Sequence, residues 1–140
     1  MRFGTALSHA TFRAGGVLSI FLGSFTSELD VDSYLSSTFS SAFGFVIDPR
    51  AGPEYTTQSD PKTPVEALLT GFSESERFAV PVARALREDG WTEAPAAVVF
   101  FHLAYDPTLF PKFNNLGPLK FVGRFDLKLR RWTSWPWVAE

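Results

Sequence analysis

The sequence predicts an α+β fold, a mostly antiparallel sheet of three to five strands covered by two to three helices, and three observations carry that expectation. The stretch Ala96 to Tyr105 (AAVVFFHLAY) is apolar on both alternating faces except at one imidazole, and Pro95 and Asp106-Pro107 close it off, as expected of a central strand covered on both sides. Leu119 to Leu129 alternates instead. Leu119, Phe121, Phe125, Leu127 and Leu129 fall inward with Gly123, and Lys120, Arg124, Asp126 and Lys128 outward. Helix-start signals at Ser27 and at Ser73-x-x-Glu76 open two stretches with helical spacing.

Residues 1–16 have no sustained period and end in Gly15-Gly16, which reads as a flexible N-terminal segment. Val17 to Phe25 (VLSIFLGSF) reads as a second buried strand, with Gly23 marking a bend. A helix follows near 28–38. Ser27 caps it, Glu28, Asp30 and Asp32 complement its positive end, and Val31, Leu35 and Phe39 form its apolar stripe with Tyr34 beside them. Phe43, Phe45 and Ile47 suggest a short strand, and Pro49 to Lys62 a long loop. Thr63-Pro64-Val65-Glu66 resembles a capped start to a short helix. A longer helix spans 74–89 with Phe78, Val82, Ala85 and Leu86 inward, and Pro81 predicts a kink or a late start. The strand at Leu119 is expected to pair antiparallel with the central one through an enlarged hairpin, leaving one face wet. Residues 17–131 then form a single α+β domain and 132–140 a Trp-rich tail.

Composition limits the function classes. A chain of 140 residues fits one domain, and fifteen Phe point to an aromatic core. Cys is absent and His occurs twice, which leaves no thiolate site and no expected metal or other cofactor. No segment is apolar enough for a signal peptide or a membrane span, so the expected compartment is the cytoplasm. Charge is uneven: residues 14–76 hold nine acids against two bases, a net of −7, while 107–140 carry a net of +4.

Catalytic side-chain types concentrate only at His102, Tyr105 and Asp106, and strand alternation puts His102 and Tyr105 on opposite faces. No catalytic residue is therefore assigned. The basic residues from Lys120 to Arg131 alternate along one strand with Asp126 among them, as on a solvated strand face rather than a nucleic-acid platform.

Two stretches read together add a family. VLSIFLGSF followed by TSELDVDSYL is similar to the opening of the immunity protein 22 family of bacterial polymorphic toxin systems, the matching residues being Phe21, Gly23, Phe25, Glu28, Tyr34 and Leu35. FSSAFGFVIDP resembles the family's Phe-Gly-aliphatic segment. LLTGFSESERF, a helix, a hydrophobic strand with Tyr105, and LKFVGRF match the remaining order from Val17 to about Leu127. The chain departs from the family pattern in carrying Phe21 where Trp is expected, and Arg50-Ala51-Gly52-Pro53 thins the acids after the Phe-Gly segment.

The resemblance implies a non-catalytic cytosolic protein that binds and neutralises a cognate toxin domain, a nuclease among the candidates, and contacts neither nucleic acid nor membrane. It carries no set of site residues. Charge complementarity to a basic toxin puts the expected partner surface on Glu28, Asp30, Asp32 and Tyr34 of the first helix and on Asp48, Glu54, Tyr55 and Asp60 of the long loop. The alternatives are a small-ligand or general protein-interaction module and, further off, a small hydrolase using His102.

Overall fold

The computed structural model describes residues 7–127 and the backbone of 131–134. The chain begins with β1 (Leu7–Ser8), a 3-10 turn over His9–Phe12, and β2 (Arg13–Gly23). Next come α1 (Glu28–Ser37), α2 (Phe39–Phe43), β3 (Phe45–Val46), β4 (Glu54–Thr57), α3 (Val65–Leu69) and α4 (Ser75–Glu88). β5 (Ala96–Leu103), a second 3-10 turn (Pro107–Leu109), β6 (Leu119–Asp126) and β7 (Arg131–Ser134) complete the fold. The main sheet runs β4-β5-β2-β6-β7 with every neighbour antiparallel, and β1 and β3 form a separate parallel pair.

Helices cover both faces of the sheet. On one, Leu18, Ile20, Leu22, Ala97, Val99 and Val122 meet Leu68 and Leu69 of α3 and Phe78, Val82 and Leu86 of α4. On the other, Phe21, Phe100, Phe121 and Tyr105 meet Val31 and Tyr34 of α1 and Phe39 and Phe43 of α2. Phe21 sits at the middle of this second face, its ring 4.9 to 5.9 Å from those of Phe39, Phe43, Phe100, Tyr105 and Phe121. Centroid separations of that size suit tilted and edge-to-face aromatic pairs, so the Phe-rich composition resolves into one interlocked ring cluster.

The sheet is centred on β2 rather than on β5. β5 pairs with β2 and β4, and β6 pairs with β2 and β7, so the expected hairpin between the strands at 96 and 119 does not form. Within the strand expected to be central and covered on both sides, Phe101 is only partly buried, and Phe100 takes the interior place. His102 has φ +62°, a left-handed backbone that breaks the two-residue alternation. Leu103 and Tyr105 therefore join Phe100 on its face and not Phe101 on the other.

A bulge does the same in β6. Ile20 pairs with Gly123 and Phe21 with Phe121, leaving Val122 as the extra residue, and Phe121 and Phe125 end on opposite faces. Both faces of β6 are covered, contrary to the expected wet one. Leu129 and Lys128 lie outside the described residues.

The N-terminal segment is part of the fold from Leu7 onward. Leu7 pairs with Phe45, Phe12 and His9 are buried, and Gly15-Gly16 belong to a bulge of β2 opposite His102, where the backbone N–H of Gly16 donates to His102 Nδ1 over 3.0 Å. Residues 1–6 lie outside the described residues. Phe43, expected in a strand, ends α2, because Gly44 at φ +84° caps the helix in the left-handed region. A Cβ there would land in the Phe110 ring, so the residue must be glycine on two counts. α3 is led in by Pro64 and not by a Thr63 cap, the Thr63 hydroxyl donating to the Asp60 carbonyl at 2.7 Å. α4 runs unbroken past the exposed Pro81. Of the expected Trp-rich tail, 132–134 fall in β7 and 135–140 lie outside the described residues.

Candidate functional site

The acids and tyrosines expected to form one surface do not come together as one. α1 starts where Ser27 Oγ accepts from the Asp30 N–H at 3.2 Å, which leaves Glu28, Asp30 and Asp32 exposed on the first turns. β4 lies next to this helix, and the Tyr55 hydroxyl donates to Asp32 Oδ1 over 2.8 Å, joining residues 23 positions apart. The Tyr55 hydroxyl is held above its ordinary acidity range, first by that bond, then by partial desolvation and the negative charges of Asp32 and Glu28. Glu28 and Asp32 are four residues apart on one helix face and repel each other, an arrangement the helix dipole relieves in part. Among the described residues no Lys, Arg or His comes within 4 Å of either carboxylate. Leu29, 76 % exposed, stands between them in sequence.

Tyr34 does not belong to this surface. It is buried, its ring 5.3 Å from that of Phe25, and burial raises its hydroxyl's pKa. Its place in the Val31 and Leu35 stripe turns it inward. Asp48 and Asp60 form local turns: Asp48 Oδ1 accepts from the Arg50 N–H and Asp60 Oδ1 from the Lys62 N–H, each at 2.9 Å. Asp48 also stands 3.7 Å from Arg13, and its own N–H donates to buried His9 Nδ1 at 3.1 Å.

Glu54 points to the other sheet face, as alternation along β4 requires. There its Oε1 accepts from the Ser73 N–H at 2.9 Å. With Ala51, Gly52, Ser73, Glu74, Phe101 and His102 it lines an open cleft of about 260 Å³. Among the described residues the two non-glycine residues with positive φ, His102 and Glu74, both line this cleft, a coincidence no sequence pattern announced. Its chemistry is limited. His102 Nδ1 is occupied as an acceptor from Gly16, and Glu74 is paired with Arg77 at 2.6 Å. The other candidates for acid–base work hold structure instead. The Tyr105 hydroxyl, fully buried, donates to the Phe43 carbonyl at 2.5 Å, and Asp106 Oδ1 accepts from both the N–H and the hydroxyl of Thr108. Burial, with the charge of Asp106, raises the pKa of Tyr105 far above its ordinary range.

A second open cleft, of about 410 Å³, lies where Leu22 to Ser24, Pro95 and Pro118 meet, with Trp91 and Lys120 on its walls. Among the described residues no group of three or more His, Asp or Glu is arranged to hold a metal ion. Nor is any helix among them long and apolar enough to cross a membrane. No protein-family model, curated protein or solved structure matches the chain.

Proposed function

We propose that this protein is a non-catalytic immunity protein that binds a basic toxin domain through the surface made by Glu28, Asp32 and Tyr55. One observation supports this most: two carboxylates with no counter-cation among the described residues, set beside a tyrosine by the 2.8 Å bond between Tyr55 and Asp32 and next to exposed Leu29. Opposite charge speeds encounter and selects partners, and a tyrosine and a leucine supply contact area that charge alone does not. The order of motifs from Val17 to Leu127 supports the finer reading as a toxin neutraliser in the cytoplasm. The test is co-expression with the toxin domain encoded beside this gene. The wild-type chain should restore growth, and Glu28→Lys with Asp32→Lys should abolish the rescue and weaken binding by about tenfold or more. The double reversal should cost only about 1 to 2 kcal/mol of stability, from the helix end and the Tyr55 bond, too little to unfold the chain, and Lys120→Glu should change binding little. A toxin that acts unimpeded by the wild-type chain, or a rescue indifferent to the double reversal, refutes the proposal.

A further inference from the structure

We infer that the outer edge of β4 is a docking site for an extended basic segment of the partner, which joins the sheet as a further strand. The inference deepens the reading of the Glu28, Asp32 and Tyr55 surface as a binding face and rests on it. β4 ends the sheet, paired to β5 on one side only. Among the described residues no hydrogen bond reaches its backbone from the other side, and all four of its residues are half-exposed. A row of free N–H and C=O groups is a template for another strand. The edge is short, four residues with one charge at Glu54, but other devices that blunt such edges are missing. Glu-Tyr-Thr-Thr has no Lys, its register with β5 runs from Glu54 opposite Val99 to Thr57 opposite Ala96 without a bulge, and Pro53 falls just before it.

The flanks specify the occupant. Side chains of an added strand alternate between the two sheet faces. On one face they meet Asp32, Glu28 and Tyr55; on the other they meet Glu54, Glu74 and the half-buried Phe101 ring in the 260 Å³ cleft. Glu28, Asp32 and Glu54 have no cation within 4 Å among the described residues, whereas Glu74 already has Arg77. Acid on both flanks fits basic residues at adjacent positions, one sent to each face, and Phe101 offers a ring to the second cation. The partner segment is therefore a short β-prone stretch centred on a Lys-Arg pair.

The probe is the peptide acetyl-Thr-Val-Lys-Arg-Val-Thr-amide, titrated to millimolar concentration into the isotope-labelled full chain. The amide signals of Glu54 to Thr57 should shift, and the outward-facing ones should exchange more slowly with solvent. Peptides N-methylated on one or the other alternating set of amides should differ, one set weakening binding by about tenfold and the other little, since only one set faces β4. Asp32→Asn and Glu54→Gln should each weaken the parent peptide several-fold. Absence of any shift, equal binding by both methylated peptides, or shifts confined to α1 without protection of β4 would overturn the inference. The last outcome leaves the acidic-face reading intact. A peptide that pairs with β4 while the chain fails to neutralise the toxin would overturn the immunity reading and leave the edge site standing.

Discussion

Replacing Phe21 by Ala should be among the most damaging single truncations of the core. The ring is fully buried and is held by five aromatic neighbours on α2, β5, β6 and the segment after β5. Neighbours fixed on that many elements cannot collapse into the space, so the cost belongs at the upper end for a buried phenylalanine, about 4 to 5 kcal/mol. Phe101 supplies the contrast. It is partly buried, has Phe78 as its ring partner at 6.2 Å, and borders the open cleft, where water refills the space. Phe101→Ala should cost only about 1 to 2 kcal/mol. Urea unfolding at 25 °C reads both. With a slope of about 1.5 kcal/mol/M, the midpoint should fall by about 3 M for Phe21→Ala and about 1 M for Phe101→Ala. Phe21→Leu, expected to cost about 1.5 kcal/mol, provides a folded variant should the alanine form prove too unstable to measure. A Phe101→Ala loss equal to that of Phe21→Ala would refute β2 as the centre of the sheet.

Three more expectations concern the polar and tight contacts. Burial lowers the pKa of His9 below its ordinary 6.5 against the opposing pull of Asp48, with Arg13 adding to the lowering. The unfolded chain therefore takes up this proton first. Stability from this group is complete above about pH 6.5 and falls as the pH drops from there toward the lowered value. His9→Gln should shrink the loss of urea midpoint between about pH 7.5 and 5.5; an unchanged difference would refute the assignment. Gly44→Ala should cost more than about 2 kcal/mol and be partly rescued by Phe110→Ala, whereas Gly90→Ala, at φ +93° with no neighbour within 4 Å, should cost only about 1 kcal/mol. Tyr105→Phe leaves the Phe43 carbonyl without its donor and should lower stability by about 1 to 3 kcal/mol in thermal or urea melts.

The strands that run over 13–23, 96–103 and 119–126 were legible, though not in their bounds, because a buried strand carries its signal in consecutive residues. Their pairing was not, since nothing local in Leu119 to Asp126 distinguishes β2 from β5 as a neighbour. The alternation itself misled at two points. His102 in the left-handed region and the extra residue Val122 each shift the phase, and a pattern of apolar and polar letters carries no mark of either. At the candidate site the acids of α1 were readable from the Ser27 cap, and the burial of Tyr34 was already implied by its neighbours Val31 and Leu35. The bond from Tyr55 to Asp32 and the position of Glu54 on the opposite face depend on where β4 joins the sheet, which is a long-range outcome. Ser19 went unnoticed for the same reason. Fully buried in β2, its hydroxyl donates to the Leu103 carbonyl at 2.7 Å and accepts from the Tyr105 N–H at 2.9 Å, continuing the ladder where β5 ends.

The strand order also sets a timetable for synthesis. β2, the middle of the sheet, leaves the ribosome before both of its neighbours, β5 and β6, which begin at Ala96 and Leu119. At about 5 to 20 residues per second, the 73 positions from Gly23 to Ala96 take about 4 to 15 seconds to translate. Through that interval β2 has no strand partner on either side, while α1 to α4 emerge and have no sheet to pack on. Completion of the main sheet waits for β6, from Leu119 on: a chain stopped before Ala96 leaves both edges of β2 bare, and one stopped between β5 and β6 leaves one.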